Sequence, residues 1–325
     1  EKRSLMEKFK SYTTEAKEEK YKLLILSHDD PFDPNETGPM VRKKASELGI
    51  EVYLAEFSGM YMEDKGKDQL VYSFPVDDDG KVELPGMKDD AKYDKPFRIN
   101  PENTLVMARG IGSTVKTGNL SWRVACLNLE NQGYTLINSV ICHDICNDKW
   151  YNQIVFQQND IRTPNTVLVR HSEGAEDAAE RLGNKFPMIL KTAVGSRGVG
   201  VIWVESLKSL HSTIQLLHRE DEFVDVLLQE YIKTDYDVRV IIAAGKILGA
   251  IKRPVIGDDF RSNVSQGSEP ESHELTEREA QESLRAAASV EGQVVGVDFI
   301  PAKNRDKESP YFIEVNSTPG LMGIE

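Results

Sequence analysis

Apolar residues along this chain fall into strand-length runs separated by stretches with helical spacing. Residues 21–27 (YKLLILS) form one such run, residues 39–48 space their apolar positions as a helix does, and residues 51–57 (EVYLAEF) form a second run. Strand, crossover helix and strand make a βαβ unit, so a parallel sheet is expected in the N-terminal part. Residues 104–108 (TLVMA) and 134–138 (YTLIN) add strands, with a helical pattern over 120–131 between them. The polar stretch 59–100, rich in Asp and Lys, is an excursion from that sheet with a hairpin around Asp79-Gly80. Residues 1–20 are charged and helix-prone, with Leu5, Met6 and Phe9 at helical spacing, and read as a surface helix or an extension. The first domain is expected to end near Val140.

Beyond that point the order of elements changes. An amphipathic helix is predicted from Lys149 to about Asn159, then a Pro-containing connection into a strand over 161–169, then a β-hairpin over 188–204 (MILKTAVGSRGVGVIWV) with a glycine-rich tip. A helix over 205–219 precedes a buried strand over 224–232 (VDVLLQEYI), and Asp235, Asp237 and Arg239 follow at period two. Two strands flank Gly245, the loop 258–268 (DDFRSNVSQGS) carries Arg261 and Asn263, and a Thr-x-x-Glu start opens a helix at Thr276. Two final strands are predicted, 293–300 (QVVGVDFI) and one within 310–316.

Composition narrows the classes. With 39% hydrophobic and 29% charged residues, 325 residues describe a soluble globular chain of two or three domains. No run approaches the length of a membrane span, no apolar signal region opens the sequence, and a cytoplasmic protein is the expectation. The chain begins with Glu rather than Met, so boundaries near its ends are not taken as natural ones. A net charge of −13 works against nucleic acid and anionic membranes as partners. Cys126, Cys142 and Cys146 are too few for a disulfide framework, and Cys142-His143 with Cys146 lacks the second ligand pair of a structural zinc site.

The chemistry gathers at the end. In a strand, Glu314 and Asn316 share a face while Ile313 and Val315 point into a core, so a carboxylate and an amide oxygen converge on one spot. Such a pair suits a hard divalent cation, and Asp298 on the preceding strand supplies a third oxygen ligand. Taken alone, Glu-x-Asn is also what a solvated edge strand looks like. Likewise Gly195, Gly198 and Gly200 fit a tight turn, or a backbone that approaches phosphate with Lys191 and Arg197 beside it. The flanks match neither a Walker A loop nor a dinucleotide fingerprint, because no Gly-Lys-Ser/Thr follows and a strand rather than a helix comes next.

A lysine before a glycine-rich hairpin, Gln-Glu-Tyr-Ile at 229–232, Asp-x-Arg at 237–239, Phe-Arg-Ser-Asn at 260–263, then Asp298 and Glu-x-Asn on paired strands together resemble the ATP-grasp superfamily. The resemblance is to the RimK-type, α-L-glutamate ligase group, to which the run EVNSTPGLMGIE is specific; it covers 138–325, and before that only the α/β pattern matches. It implies an N-terminal α/β domain of the pre-ATP-grasp kind over 1–140 with an insert near 59–100, a central lobe over 141–232 and a C-terminal lobe with the metal site over 233–325. It implies that Lys149 and Lys191 hold ATP phosphates while Gly195, Ser196, Arg197 and Gly198 fold over them. Glu230 and Tyr231 would meet the adenine, Asp237 the ribose side, and Arg261, Ser262 and Asn263 the phosphates. Asp298, Glu314 and Asn316 would bind two Mg2+ or Mn2+ ions, and Arg253, acting with Arg261, would sit where the carboxylate or acyl phosphate is handled.

The implied reaction is ATP-dependent: a carboxylate is phosphorylated and an amine displaces phosphate to form an amide. The implied partners are an amino acid and a peptide, protein or small-molecule acceptor, and homo-oligomer formation is left open. After Asn263 the chain reads Val264-Ser265-Gln266-Gly267-Ser268, where the group usually has a basic residue and Gly-Gly. That departure bears on the amino acid and the acceptor rather than on the ATP chemistry. The competing reading is a regulatory ATP-binding protein without turnover, against which the intact Lys191, Arg261, Asp298, Glu314 and Asn316 argue.

Overall fold

A computed structural model describes residues 21–27, 37–56, 60–62, 66, 68–71, 97–109, 120–194, 200–220, 224–255 and 271–321. The expected N-terminal helix and the hairpin at Asp79-Gly80 lie outside these residues. So do Gly195, Ser196, Arg197, Gly198, Arg261, Ser262 and Asn263. The chain divides into two compact units, 1–140 and 141–325.

In the first unit β1 (Lys22–Ser27), α1 (Thr37–Glu47) and β2 (Glu51–Glu56) form the expected βαβ unit. Short strands β3 (Met60–Tyr61), β4 (Gln69–Val71) and β5 (Phe97–Ile99) pair antiparallel with one another; at two or three residues each they leave no periodic signal in the sequence. The chain then returns to the parallel sheet through β6 (Thr104–Arg109), α2 (Leu120–Asn131) and β7 (Thr135–Ile137), giving the order β2-β1-β6-β7. Leu24 and Leu26 enter one core cluster and Leu23 and Ile25 another. Both faces of β1 are therefore covered, and its sequence is a continuous apolar run instead of an alternation.

The second unit starts with α3 (Val140–Asn147) and α4 (Lys149–Gln158). Then β8 (Thr166–Val169), α5 (Ala175–Arg181), β9 (Met188–Thr192), β10 (Val201–Val204), α6 (Leu207–Glu220) and β11 (Val226–Glu230) build an antiparallel sheet of order β10-β9-β11-β8. Met188, Leu190, Val226 and Leu228 point to one face and pack on Ala178 and Ala179 of α5 and Leu210 and Ile214 of α6. The rest of the chain adds β12 (Tyr236–Ala243), β13 (Lys246–Pro254), β14 (Glu271–Ser272), α7 (Glu277–Ser289), β15 (Val294–Ile300) and β16 (Tyr311–Asn316), a second antiparallel sheet of order β14-β13-β12-β15-β16. Ala244 and Gly245 join β12 to β13 with φ of 49° and 72°, as a tight hairpin of right-handed twist requires. Val238, Val240, Val297, Phe299, Phe312 and Val315 of this sheet pack on Val155 and Phe156 of α4 and Ala286 and Ala287 of α7. Among the described residues no helix is long and apolar enough to cross a membrane.

One expectation about β16 needs correction. Phe312, fully buried, enters the core and Ile313 does not, because the register shifts between Asp298 and Phe299 and an extra residue of β16 is accommodated there. The bulge turns Phe312 inward while leaving Glu314 opposite Asp298.

α7 begins as its sequence predicts, with Thr276 and Glu279 satisfying each other's backbone N–H groups. Glu279 also takes Arg305 Nε and Nη2 at 2.9 and 2.8 Å. Burial pushes its carboxyl up, but Arg305, His273 and the Thr276 N–H outweigh that and hold it down to about 2, against an ordinary 4.5. A depressed folded pKa gives stability that is fully present above the ordinary value and is lost as pH falls toward 2. Up to about 3 kcal/mol is at stake. Urea unfolding at neutral pH and at pH near 3 should show the wild-type protein losing more stability than Glu279→Gln; equal losses would remove Glu279 from the acid response.

Candidate functional site

The site is assembled where α4, β9 and the second sheet meet. Asp148 caps α4, accepting from the N–H groups of Trp150 and Tyr151 at 2.8 and 3.1 Å. The cap contributes about 1 kcal/mol and fixes where the helix starts. Asp148 bridges Val194, and the Lys149 N–H donates to Ala193 O at 2.9 Å, so the first residue of the helix is tied to the end of β9. Lys149 thus stands at the positive end of a helix, where a cation is unfavourable unless an anion joins it. At the base of the glycine-rich hairpin Gly200 has φ +83°, and a Cβ there would come within 2.6 Å of Thr192 Oγ1, so glycine is required.

Lys191 projects from β9 on the face away from α5 and α6. Val201 and Leu227 lie opposite it, and Trp203, Ile189 and Gln229 share that face by register. Trp203 and Tyr231 meet edge to face with ring centroids 4.7 Å apart. Glu230 is held at the end of β11 by Asn165, whose N–H donates to its carboxylate at 2.7 Å. Burial, the largest influence, pulls the Lys191 ammonium down to about 8; Glu314 and Asp237 pull it up, and Lys149 pushes it down. These influences place Lys149, Lys191, Asp237 and Glu314 in one electrostatic neighbourhood. The Lys191 side chain makes no hydrogen bond or direct ion pair with a described residue.

Across from it, the face of the second sheet opposite the core carries a buried ionic chain. Arg253 grips Asp237 through Nε and Nη2 at 2.6 and 2.7 Å, and the same Nη2 reaches Asp298 at 2.9 Å. Arg239 grips Asp298 through Nε and Nη2 at 2.7 and 2.6 Å. Burial raises the Asp298 carboxyl, but the two guanidinium groups outweigh it and keep Asp298 ionised. The same pairings hold Arg253 above its ordinary value despite burial. Gly296, beside Asp298, lies under Pro319, and a Cβ there would stand 3.1 Å from Pro319 Cβ and 3.7 Å from Arg239 Cδ. A side chain at this position would press on Pro319 and merely touch Arg239.

Glu314 differs from its neighbours. It lies opposite Asp298, partly buried, and its carboxylate neither hydrogen-bonds nor directly ion-pairs with any described residue. Asn316 Oδ1 accepts a single bond, from Thr318 N–H at 2.9 Å. A half-buried carboxylate without a direct partner among the described residues, beside an amide oxygen, is the donor set that a hard divalent cation takes, so these residues fit such an ion. Asp298 fits it less directly, since Oδ2 already accepts two bonds and Oδ1 one. Among the described residues no three His, Cys, Asp or Glu side chains could hold a metal by themselves, which leaves the mixed set with Asn316.

Of the residues expected from sequence, Lys149, Lys191, Asp237, Arg253, Asp298, Glu314 and Asn316 come together, while Glu230 and Tyr231 lie on the central sheet and its edge. Arg239 stands in the sequence only as part of the Asp-x-Arg motif and is given no role there. Its spacing of two from Asp237 was the signal that both share a face. The helix α3 was also unforeseen; it puts Cys142 and Cys146 one turn apart, Sγ to Sγ 4.0 Å, and His143 Nδ1 2.9 Å from Ser317 Oγ. Cys142, burial and Glu314 raise the Cys146 thiol well above its ordinary range, with Ser317 opposing. It is therefore a protonated, unreactive thiol.

Residues 146–325 match a family model described as the RimK-like ATP-grasp domain. A probable alpha-L-glutamate ligase of Rhodopirellula baltica is 34% identical over 180 residues, covering 55% of this chain and 43% of that protein. Another from Histophilus somni is 33% identical over 215 residues, covering 64% of this chain and 69% of that one. This chain thus spans less than half of the first relative's length and about two thirds of the second's. The solved structure of the ATP-grasp ligase PsnB complexed with a minimal precursor superposes with a TM-score of 0.64 at 16% identity, over 94% of each chain. At that identity the likeness concerns the fold.

Proposed function

Because the chain belongs to the RimK-like ATP-grasp family, we propose that it is an ATP-dependent carboxylate–amine ligase that forms an amide bond through an acyl phosphate, joining glutamate to a peptide or protein acceptor. The observation that carries this is a half-buried Lys191 ammonium and a half-buried Glu314 carboxylate that lie in one electrostatic neighbourhood, neither side chain making a hydrogen bond or direct ion pair with a described residue. A nucleotide polyphosphate with a divalent cation would supply a direct partner to each. Glutamate is supported by the names of the relatives, and a peptide substrate by the precursor peptide complexed with the ATP-grasp ligase PsnB.

In this reading Lys149 and Lys191 bind the phosphates, helped by the N-terminus of α4. The sheet face with Trp203, Ile189 and Leu227 receives the base, with Tyr231 at its edge. Glu314 and Asn316 would hold the divalent cation, and the chemistry it would supply is neutralisation of charge on the transferred phosphoryl group. Asp298 would join that set only as its bonds to Arg239 are released. Phosphoryl transfer needs placement and charge compensation more than covalent help, and the cationic side chains here are positioned for both. Arg253 bonds Asp237 and Asp298 through Nε and Nη2, and Nη1 is the arm assigned here to the acyl group being activated. Arg261, Ser262 and Asn263, with Gly195, Ser196, Arg197 and Gly198, are assigned to the phosphates on sequence alone.

The test is the fate of ATP. Incubation with Mg2+, glutamate and candidate peptides, followed by phosphorus NMR and mass spectrometry, should show ADP, phosphate and a peptide heavier by one glutamate residue. AMP and pyrophosphate would sink the acyl-phosphate route. A second expectation follows from Lys191. Its ammonium form is lost as pH rises through about 8, so ATP affinity should weaken about tenfold between pH 7 and 9. Calorimetric titration of ATP should show this slope in the wild-type protein and not in Lys191→Met. An equal slope in both would place the titrating group elsewhere.

A further inference from the structure

Glu314 stands open, but its neighbour Asp298 does not. Both oxygens of Asp298 are bound by guanidinium groups, Arg239 through a two-pronged grip and Arg253 through Nη2. The Asp298 side chain is only 3% exposed and that of Arg253 4%, while Arg239 is 21% exposed and so lies at the open end of the chain of charges. We propose that Arg239 is a positioning residue that holds Asp298 away from a free divalent cation, so that the cation loads only together with nucleotide. The proposal rests on the ligase reading of this site.

The charge balance supports it. Among the described residues of this neighbourhood, Asp237, Asp298 and Glu314 face Arg239, Arg253, Lys149 and Lys191, so cationic side chains outnumber carboxylates there. A lone divalent cation would add two positive charges beside these cations in a partly desolvated region, where charges are weakly screened. A nucleotide polyphosphate reverses that balance. It also gives the Arg239 guanidinium, which forks as readily onto phosphate as onto carboxylate, somewhere else to go. Release of Arg239 then frees oxygen lone pairs on Asp298 for the cation beside Glu314 and Asn316. Geometry favours Arg239 over Arg253 as the part that moves, since Arg253 is also locked onto Asp237 on its own neighbouring strand.

The experiment measures binding rather than turnover. Mn2+ uptake by the whole chain is followed by electron paramagnetic resonance, with Mn2+ alone and with Mn2+ plus a non-hydrolysable ATP analogue, for wild type, Arg239→Met and Arg239→Lys. Wild type should bind Mn2+ alone weakly and bind it well with the analogue. Arg239→Met should bind Mn2+ alone about tenfold more tightly, as when a competent state populated a tenth of the time becomes the main one. The gain that the analogue confers on Mn2+ should shrink by the same factor, because coupling is reciprocal. Arg239→Lys, which keeps charge but loses the fork, should fall between, and it decides the matter if Arg239→Met does not fold. A purely structural role predicts weaker Mn2+ binding in both variants. Unchanged or weaker nucleotide-free affinity in the folded variants would overturn the proposal while leaving the ligase reading standing. Failure of the wild type to take up Mn2+ even with the analogue would instead remove the ligase reading.

Discussion

Glu314→Gln is expected to lower turnover about a thousandfold, some 4 kcal/mol of barrier, while leaving the melting temperature within about 2 °C of wild type. The two halves of that expectation come from the same observation. Glu314 has no hydrogen bond or ion pair with a described residue, so replacing its carboxylate by an amide of equal size breaks nothing in the resting fold. Its charge does act at a distance, pulling the Lys191 ammonium up against burial. In the variant that ammonium should therefore titrate lower, and ATP should dissociate more readily at neutral pH. The amide keeps one oxygen for a cation but not the negative charge that holds it. Asp298→Asn should behave differently, losing both activity and stability, since it strips a buried carboxylate from Arg239 and Arg253. Steady-state kinetics at saturating Mg2+ alongside thermal melts separates the two. Normal turnover in Glu314→Gln would remove this residue from the site, and a collapsed melting temperature would show that its isolation in the fold is wrong.

How much of this was legible in the sequence depended on whether the physics was local. The glycine-rich hairpin, the capping box at Thr276 and the Glu-x-Asn strand rest on residues close in sequence, and their patterns announce them. The βαβ unit was readable for the same reason: β1 is apolar on both faces. The ionic chain is a different case. Arg239 and Asp298 are 59 residues apart and Arg253 and Asp298 are 45 apart, so their pairing depends on β12 lying between β13 and β15. Nothing in the period-two pattern of Asp237 and Arg239 says whether that face meets solvent or other charges. The bulge at Asp298 and Phe299 was equally hidden, because alternation predicts Ile313 inward and only the paired strand shows the shift. In physical terms, the sequence displays which side chains share a face and leaves open what stands opposite.

Arg253→Ala should be the most destabilising single change at the site. Arg253 is 4% exposed and joins two buried carboxylates, Asp237 and Asp298, through three hydrogen bonds. Deleting it leaves both acids with less compensation, and breaking a buried pair in this way costs about 3–5 kcal/mol. For a unit of this size that is a fall of roughly 6–20 °C in melting temperature. The sequence alone points to a different outcome, a purely kinetic defect from a lost substrate contact, because it assigns the guanidinium fork to a ligand carboxylate. The structure gives the fork to Asp237, and the proposed ligand contact falls to Nη1. Kinetic loss should therefore come together with structural loss, and Arg253→Ala alone cannot apportion them. A double-mutant cycle with Asp237→Asn does. If the two side chains act as a pair, Asp237→Asn with Arg253→Met should be less destabilising than the sum of the single changes by about 1–3 kcal/mol. Urea unfolding of the four proteins measures that coupling. Simple additivity, or a melting temperature for Arg253→Ala equal to wild type, would mean that the buried chain of charges does not hold this sheet face together, and Arg253 would return to being a residue that matters only when substrate is bound.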